Sequence, residues 1–158
     1  MTVSPEIITF AISMVPVVEL RGSIPYGAAM GLSFFPCLIL SIIGNLLPTP
    51  FIVLFVRKIF NWLKTMKFFK PFAEWSEKHV LGKRDVIARY ETIGLAILVA
   101  IPLPGTGAWT GAMLAGLLGM RLKNALPAII LGVIVAAIIV SCVTYGFVGA
   151  IDFFALHA

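Results

Sequence analysis

An all-α integral membrane protein made of two inverted repeats is the fold class this sequence predicts. Each repeat is a re-entrant helical hairpin followed by a transmembrane helix, with a basic amphipathic interfacial helix between the repeats. Three observations carry that prediction. The 158 residues are 60% hydrophobic and 12% charged, with mean hydropathy +1.05, whereas a soluble domain carries about 25% charged residues. Proline and glycine interrupt the apolar runs at two corresponding places. Nine of the twelve Lys and Arg residues fall in one stretch, 57–91.

The length suits one membrane domain, divided into repeat 1 (5–56), a cytoplasmic or interfacial linker (57–91) and repeat 2 (92–150). No basic region precedes the first apolar run, which begins after Pro5 and Glu6, so that run is expected to be retained rather than cleaved. Cys37 and Cys142 lie inside apolar runs and read as small core residues; a disulfide needs their two helices to meet. His79 and His157 stand apart, with no CxxC or HExxH, so no metal site and no cofactor is expected. The net charge of +5 sits in one loop and is explained by membrane orientation, not by nucleic acid.

The first element is the apolar arm Pro5 to Val18. Its 14 residues make only about 21 Å of helix, short of a span. Ile24 to Phe35 is a second short arm. Between them lie Glu19, Arg21, Gly22 and Ser23, and Pro16, Pro25 and Gly27 break the stretch further. Glu19 and Arg21 are the only charges between Glu6 and Arg57. A charge at the centre of a membrane helix costs roughly 2.5–3.5 kcal/mol, so this pair marks a functional site by default. Two half-length arms around a polar apex read as a re-entrant hairpin. Two short spanning helices with the apex at the surface are the alternative, and the charge distribution fits both.

Pro36 to Val56 is long enough to span. Asn45 and the Pro48-Thr49-Pro50 triplet predict a kink in it; Asn45 either faces the site or bonds a neighbouring helix. In Arg57 to Glu91, Phe68, Phe72, Trp75 and His79 share one helical face while Lys70, Glu74 and Lys78 share another. That is the pattern of a helix lying in the membrane interface, ended by Gly82. Thr92 to Pro102 is another short arm, followed by the glycine-rich, uncharged breaker PLPGTGAWTG (102–111) and the arm Ala112 to Met120. Pro127 then opens a spanning run to about Phe147.

The order of elements repeats, and the glycine spacing supports it: Gly22 and Gly31-Leu32 match Gly107 and Gly116-Leu117, and Pro36 matches Pro127. Basic loops stay in the cytoplasm. That rule puts residues 57–91, Arg121 and Lys123 inside a cell inner or plasma membrane, and leaves Arg21 as the exception. The hairpins then enter from opposite faces, the architecture of secondary transporters with a midplane site.

At that site each breaker starts a new half-helix whose first N–H groups lack partners. Two such ends beside Arg21 would attract an anion, gripped in bidentate fashion by the guanidinium. Ser23, Thr106 and Thr110 offer hydroxyls, and Gly105 and Gly107 allow close backbone approach. Tyr26 and Trp109 either line the pocket or hold the membrane interface. Glu19 either pairs with Arg21 to make the hairpin insertable or takes up a proton coupled to substrate movement. The candidate site is therefore Glu19, Arg21, Gly22, Ser23, Pro25, Tyr26, Asn45, Pro104, Gly105, Thr106, Gly107, Trp109 and Thr110.

The stretches ELRGSIPYGAAMGL (19–32) and PLPGTGAWTGAMLAG (102–116) resemble the signatures of the small multidrug export protein family, over nearly the whole chain. More distantly, paired re-entrant hairpins with an embedded acid and arginine resemble the DedA (VTT-type) membrane proteins. That second likeness implies lipid flipping or scrambling, including undecaprenyl phosphate, and proton-dependent drug or envelope-stress resistance. It would make Glu19 and Arg21 the functional acid and base of the first hairpin. Its second hairpin typically carries arginine near a Pro-Gly, where this chain has Pro104-Gly105-Thr106 and no charge.

The expected activity is secondary transport of an anionic or amphiphilic solute or a lipid-phosphate headgroup, coupled to protons. Membrane lipids and a second copy of the chain are the expected partners. No nucleophile–base set is present, so an enzyme is not expected. A non-transport subunit for membrane assembly or envelope maintenance is the alternative.

Overall fold

The computed structural model describes residues 4–63, 84–103 and 105–157, all helix and connecting turns among these. Among the described residues seven helices follow in order: α1 (Pro5–Met14), α2 (Glu19–Ala29), α3 (Phe34–Leu46), α4 (Thr49–Leu63), α5 (Arg84–Ala100), α6 (Ala108–Leu117) and α7 (Leu122–His157). The interfacial-helix positions Phe68 to Gly82 lie outside the described residues.

Two stretches are long and apolar enough to cross a membrane: Phe34–Ile59, formed by α3 and most of α4, and Leu122–Ala150 of α7. At about 1.5 Å per residue, their 26 and 29 residues exceed a hydrocarbon core of about 30 Å. The first is interrupted at Leu47–Pro48, inside the region where the proline triplet predicts a kink. By contrast α1 and α6, at 10 residues each, reach only about 15 Å.

Side-chain size is distributed inside out. The core is largely small, with Ala108, Ala112, Ala115, Ala125, Ala128, Ala136 and Ala137 all buried. Phe35, Phe51, Phe55, Leu131 and Phe147 are exposed. A soluble monomer rarely leaves such a continuous apolar exterior in water, and small residues at helix interfaces are how membrane helices approach one another. Cys37 is buried, Cys142 is exposed, and both are free thiols.

The local packing is written twice. α1 and α2 run antiparallel beside α3: Gly27 meets Thr9 and Cys37, and the buried hydroxyl of Ser23 lies 2.7 Å from that of Ser41. α5 and α6 run the same way beside α7, with Gly111 against Leu95, Val99 and Ile129. α2 also packs on α7, and α6 on α4, so each hairpin reaches into the other half.

Both second arms end in one motif. Gly31 (φ 81°) and Gly119 (φ 67°) occupy the left-handed conformation that favours glycine. The Leu32 N–H donates to the Gly27 carbonyl, and the Met120 N–H donates to that of Ala115. The next helices start at Phe34 and Leu122. Gly44 of α3 and Gly132 of α7 then admit a first-arm backbone: a Cβ on either would stand 2.7 Å from the carbonyl oxygen of Phe10 or Ala96. These positions keep a constant offset of 88 (31 to 119, 32 to 120, 34 to 122, 44 to 132). The glycine and proline matches in the sequence pair different residues, because low-complexity apolar sequence offers several registers and only backbone geometry selects one.

The first hairpin is also tied to the far span. The Tyr145 hydroxyl of α7 donates to the Leu32 carbonyl at 2.7 Å, and its ring meets Phe34 edge-on at 5.3 Å.

Candidate functional site

The first break falls earlier than the sequence suggests. α1 stops at Met14, residues 15–18 form a turn, and α2 already begins at Glu19. Pro16 has no N–H to continue the α1 ladder. Val17 (φ 72°) and Glu19 (φ 50°) take left-handed backbone, uncommon for residues with a Cβ and a genuine outlier for β-branched valine. Arg21, Gly22 and Ser23 are therefore helical rather than part of a loop apex, and Pro25 lies inside α2.

The second break takes in residues 101–103 and 105–107, and α6 starts at Ala108, so Trp109, Thr110 and Gly111 are helical too. A helix start exposes N–H groups without intrahelical partners. One of them is capped from the other half of the molecule: the Trp109 N–H donates to Glu19 Oε1 at 3.0 Å. The Glu19 carboxyl group lies against Gly107, where any Cβ would collide with it. Gly107 has extended backbone (φ 173°) that any residue adopts, so the requirement for glycine there is steric and comes from Glu19. Glu19 is only 3% exposed. The starts of α2 and α6 thus meet through one buried carboxylate.

Arg21 does not pair with Glu19. Its Nη2 donates to the Ile101 carbonyl at 3.2 Å and to Thr106 Oγ1 at 3.1 Å. The Thr106 hydroxyl in turn lies 2.7 Å from the Ile101 carbonyl and 3.0 Å from that of Leu103. The Thr110 hydroxyl donates to the Gly105 carbonyl at 2.8 Å, and Gly105 sits at φ 86°. The two breaks are therefore linked by a carboxylate on a helix start and by a guanidinium on a loop. Charged partners make these hydrogen bonds roughly twice as strong as neutral ones.

Several buried polar atoms here have no partner: Arg21 Nε, Trp109 Nε1, and both amide atoms of Asn45. Asn45 is 0% exposed. Its level follows from register. α2 and α3 are antiparallel and meet at Ser23 and Ser41; one turn on from each, on the same faces, stand Glu19 and Asn45. The unpartnered groups are three donor nitrogens, carrying four N–H groups, against one carbonyl oxygen among these residues.

Of the candidate residues, Glu19, Arg21, Thr106, Gly107 and Trp109 come together, with Gly105 and Thr110 shaping the loop between them. Gly22 instead packs against Val18 and Ile12. Pro25 and Tyr26 lie about two turns further along α2, away from the junction. Pro104 is outside the described residues. Sequence reasoning missed the fully buried Thr9, Ser13 and Ser41. A signal existed: Thr9 and Ser13, and then Ser41, Asn45 and Thr49, are small polar residues spaced by four in otherwise apolar helices, which puts each set on one face.

Two membrane-long apolar helices, an apolar exterior and paired short helices define a small helical membrane protein. A family model described as "putative small multi-drug export protein" matches residues 19–139, and the chain belongs to that family. The match begins at Glu19 itself. No curated protein and no solved structure matches, and the comparisons lend no support to the more distant DedA likeness. The family's description suggests an exporter rather than an enzyme.

Proposed function

We propose that this chain is a small secondary transporter whose site is the junction of the two breaks. The hairpins α1–α2 and α5–α6 act as re-entrant elements of an inverted repeat, entering from opposite membrane faces, with residues 57–91 on the cytoplasmic side of a cell inner membrane. Glu19 and Gly107 hold equivalent positions in the two halves and touch each other. That contact between equivalents is what a two-fold pseudo-axis through the site requires.

The cargo in this reading carries an anionic group, a carboxylate or a phosphate, on a small solute, an amphiphile or a lipid headgroup. The observation that carries it is the excess of unpartnered buried donors, Arg21 Nε and Trp109 Nε1 on the two joined helix starts and the Asn45 amide one turn past Ser41 on α3. Buried donors without acceptors cost free energy, and an oxygen-rich anion is the ligand that satisfies them. In this reading Glu19 and Arg21 couple the movement of the cargo to that of a proton. Proton and cargo would then move together, with a homodimer able to extend the short pathway.

The test is flux in proteoliposomes under an imposed pH gradient, using a carboxylate-bearing fluorescent amphiphile and, separately, a fluorescent phosphatidic acid. Gradient-dependent movement that Glu19→Gln and Arg21→Ala abolish is the expected result. Flux that both variants retain would reject the assignment.

A further inference from the structure

We propose that Glu19 is a tethered stand-in for the cargo's anionic group, occupying the subsite a carboxylate or phosphate takes when it binds. This rests on the transport reading and deepens it. The Trp109 N–H at the start of the ten-residue α6 already holds a carboxylate, and that carboxylate belongs to the chain itself. Gly107 leaves room for the carboxyl group and nothing else: its extended backbone has no need of glycine, and a Cβ would strike all three carboxyl heavy atoms.

A residue kept only to cap α6 would leave its surroundings satisfied. They are not. Asn45, fully buried and level with Glu19 on the antiparallel helix, bonds to nothing, and neither do Arg21 Nε and Trp109 Nε1. The one carboxylate leaves these buried donors without an acceptor. An incoming anion therefore competes with Glu19 for the start of α6, and the carboxylate's departure makes room for it. The strained backbone at Val17 and Glu19 supplies the place where the tether swings, since left-handed residues with a Cβ relax when released.

Two variants free the subsite by different means. Glu19→Gln removes the charge and keeps the size. Glu19→Ala removes the carboxyl group altogether and leaves its space beside Gly107 open. Both are made in a Trp62→Phe, Trp75→Phe background, so that Trp109 fluorescence reports ligand. The full chain is held in phosphatidylcholine nanodiscs. In one arm inorganic phosphate is titrated from solution; in the other the discs carry increasing fractions of phosphatidic acid.

In at least one arm, each variant is expected to half-saturate at about a tenfold lower phosphate concentration or lipid fraction than the parent, the scale of one lost charge-assisted hydrogen bond. The responding arm identifies a soluble or a lipid-borne anion. Folded variants that bind no tighter than the parent in both arms would overturn the proposal. So would failure of both variants to fold, which would make the carboxylate a structural cap. Flux in proteoliposomes with unchanged affinity would reject the stand-in and leave the transport reading intact; tighter binding without flux would do the reverse.

Discussion

The two halves share a backbone plan and differ in what fills it. Seven buried positions of the first half are polar: Thr9, Ser13, Glu19, Ser23, Ser41, Asn45 and Thr49. Their counterparts in the second half are Leu95, Val99, Gly107, Gly111, Ile129, Val133 and Ala137, also buried and all without a polar side chain, while the buried Ser141 of the second half faces the reverse exchange, with Val53 in the first. The Ser23–Ser41 hydrogen bond is replaced by the Gly111–Ile129 contact. The same crossing is held in one half by hydroxyls and in the other by apolar surface. Such a division leaves the first hairpin supplying charge and side-chain polarity to the junction, and the second supplying backbone N–H groups and space.

The largest expected effect comes from cutting the link between the halves. Arg21→Ala removes both bonds from the guanidinium to the second break and should cost about 3 kcal/mol, at roughly 1.5–3 for each bond to a charged group. Arg21→Lys should recover less than half, because a point charge does not reproduce the planar fork. Denaturation in detergent measures both; a loss under about 0.5 kcal/mol for the alanine variant would mean the halves are held together elsewhere.

Next comes the equivalence of the first-arm crossings. Gly44→Val and Gly132→Val should each destabilise by about 2 kcal/mol despite valine's better helix propensity, since each drives a side chain into a carbonyl. Unequal losses, differing by more than about 1 kcal/mol, would break the parallel between α1–α3 and α5–α7.

A smaller change is expected for Ser41→Ala, about 1 kcal/mol, because it leaves the Ser23 hydroxyl without its partner. Adding Ser23→Ala should cost less than the sum of the two single changes, as a double-mutant cycle would read. The smallest effect is the sharpest test. Ser23→Gly with Ser41→Ile transplants the second half's pair into the first and should shift stability by less than about 1.5 kcal/mol, as for volume-conserving core exchanges. A large loss would show that the two crossings are not interchangeable.

The comparison also explains what was legible in the sequence. Both spans, the short arms and the interruption near Pro48 announced themselves through hydropathy and proline, which act locally. Glu19 and Arg21 stood out because charge in an apolar run is rare. The offset between matching turns of the two halves stayed hidden, since positions such as Glu19 and Gly107, or Asn45 and Val133, have nothing in common as letters. The start of α2 was misplaced because Val17 adopts a conformation that its side chain opposes. The partners of Arg21 were invisible for a different reason: Ile101 and Thr106 lie some 80 positions away, and no local pattern encodes a contact across the molecule.

The bond from Tyr145 to the Leu32 carbonyl has a mechanical consequence. It pins the corner between α2 and α3 to the far span. Under load the first hairpin and α7 would travel as one strapped body.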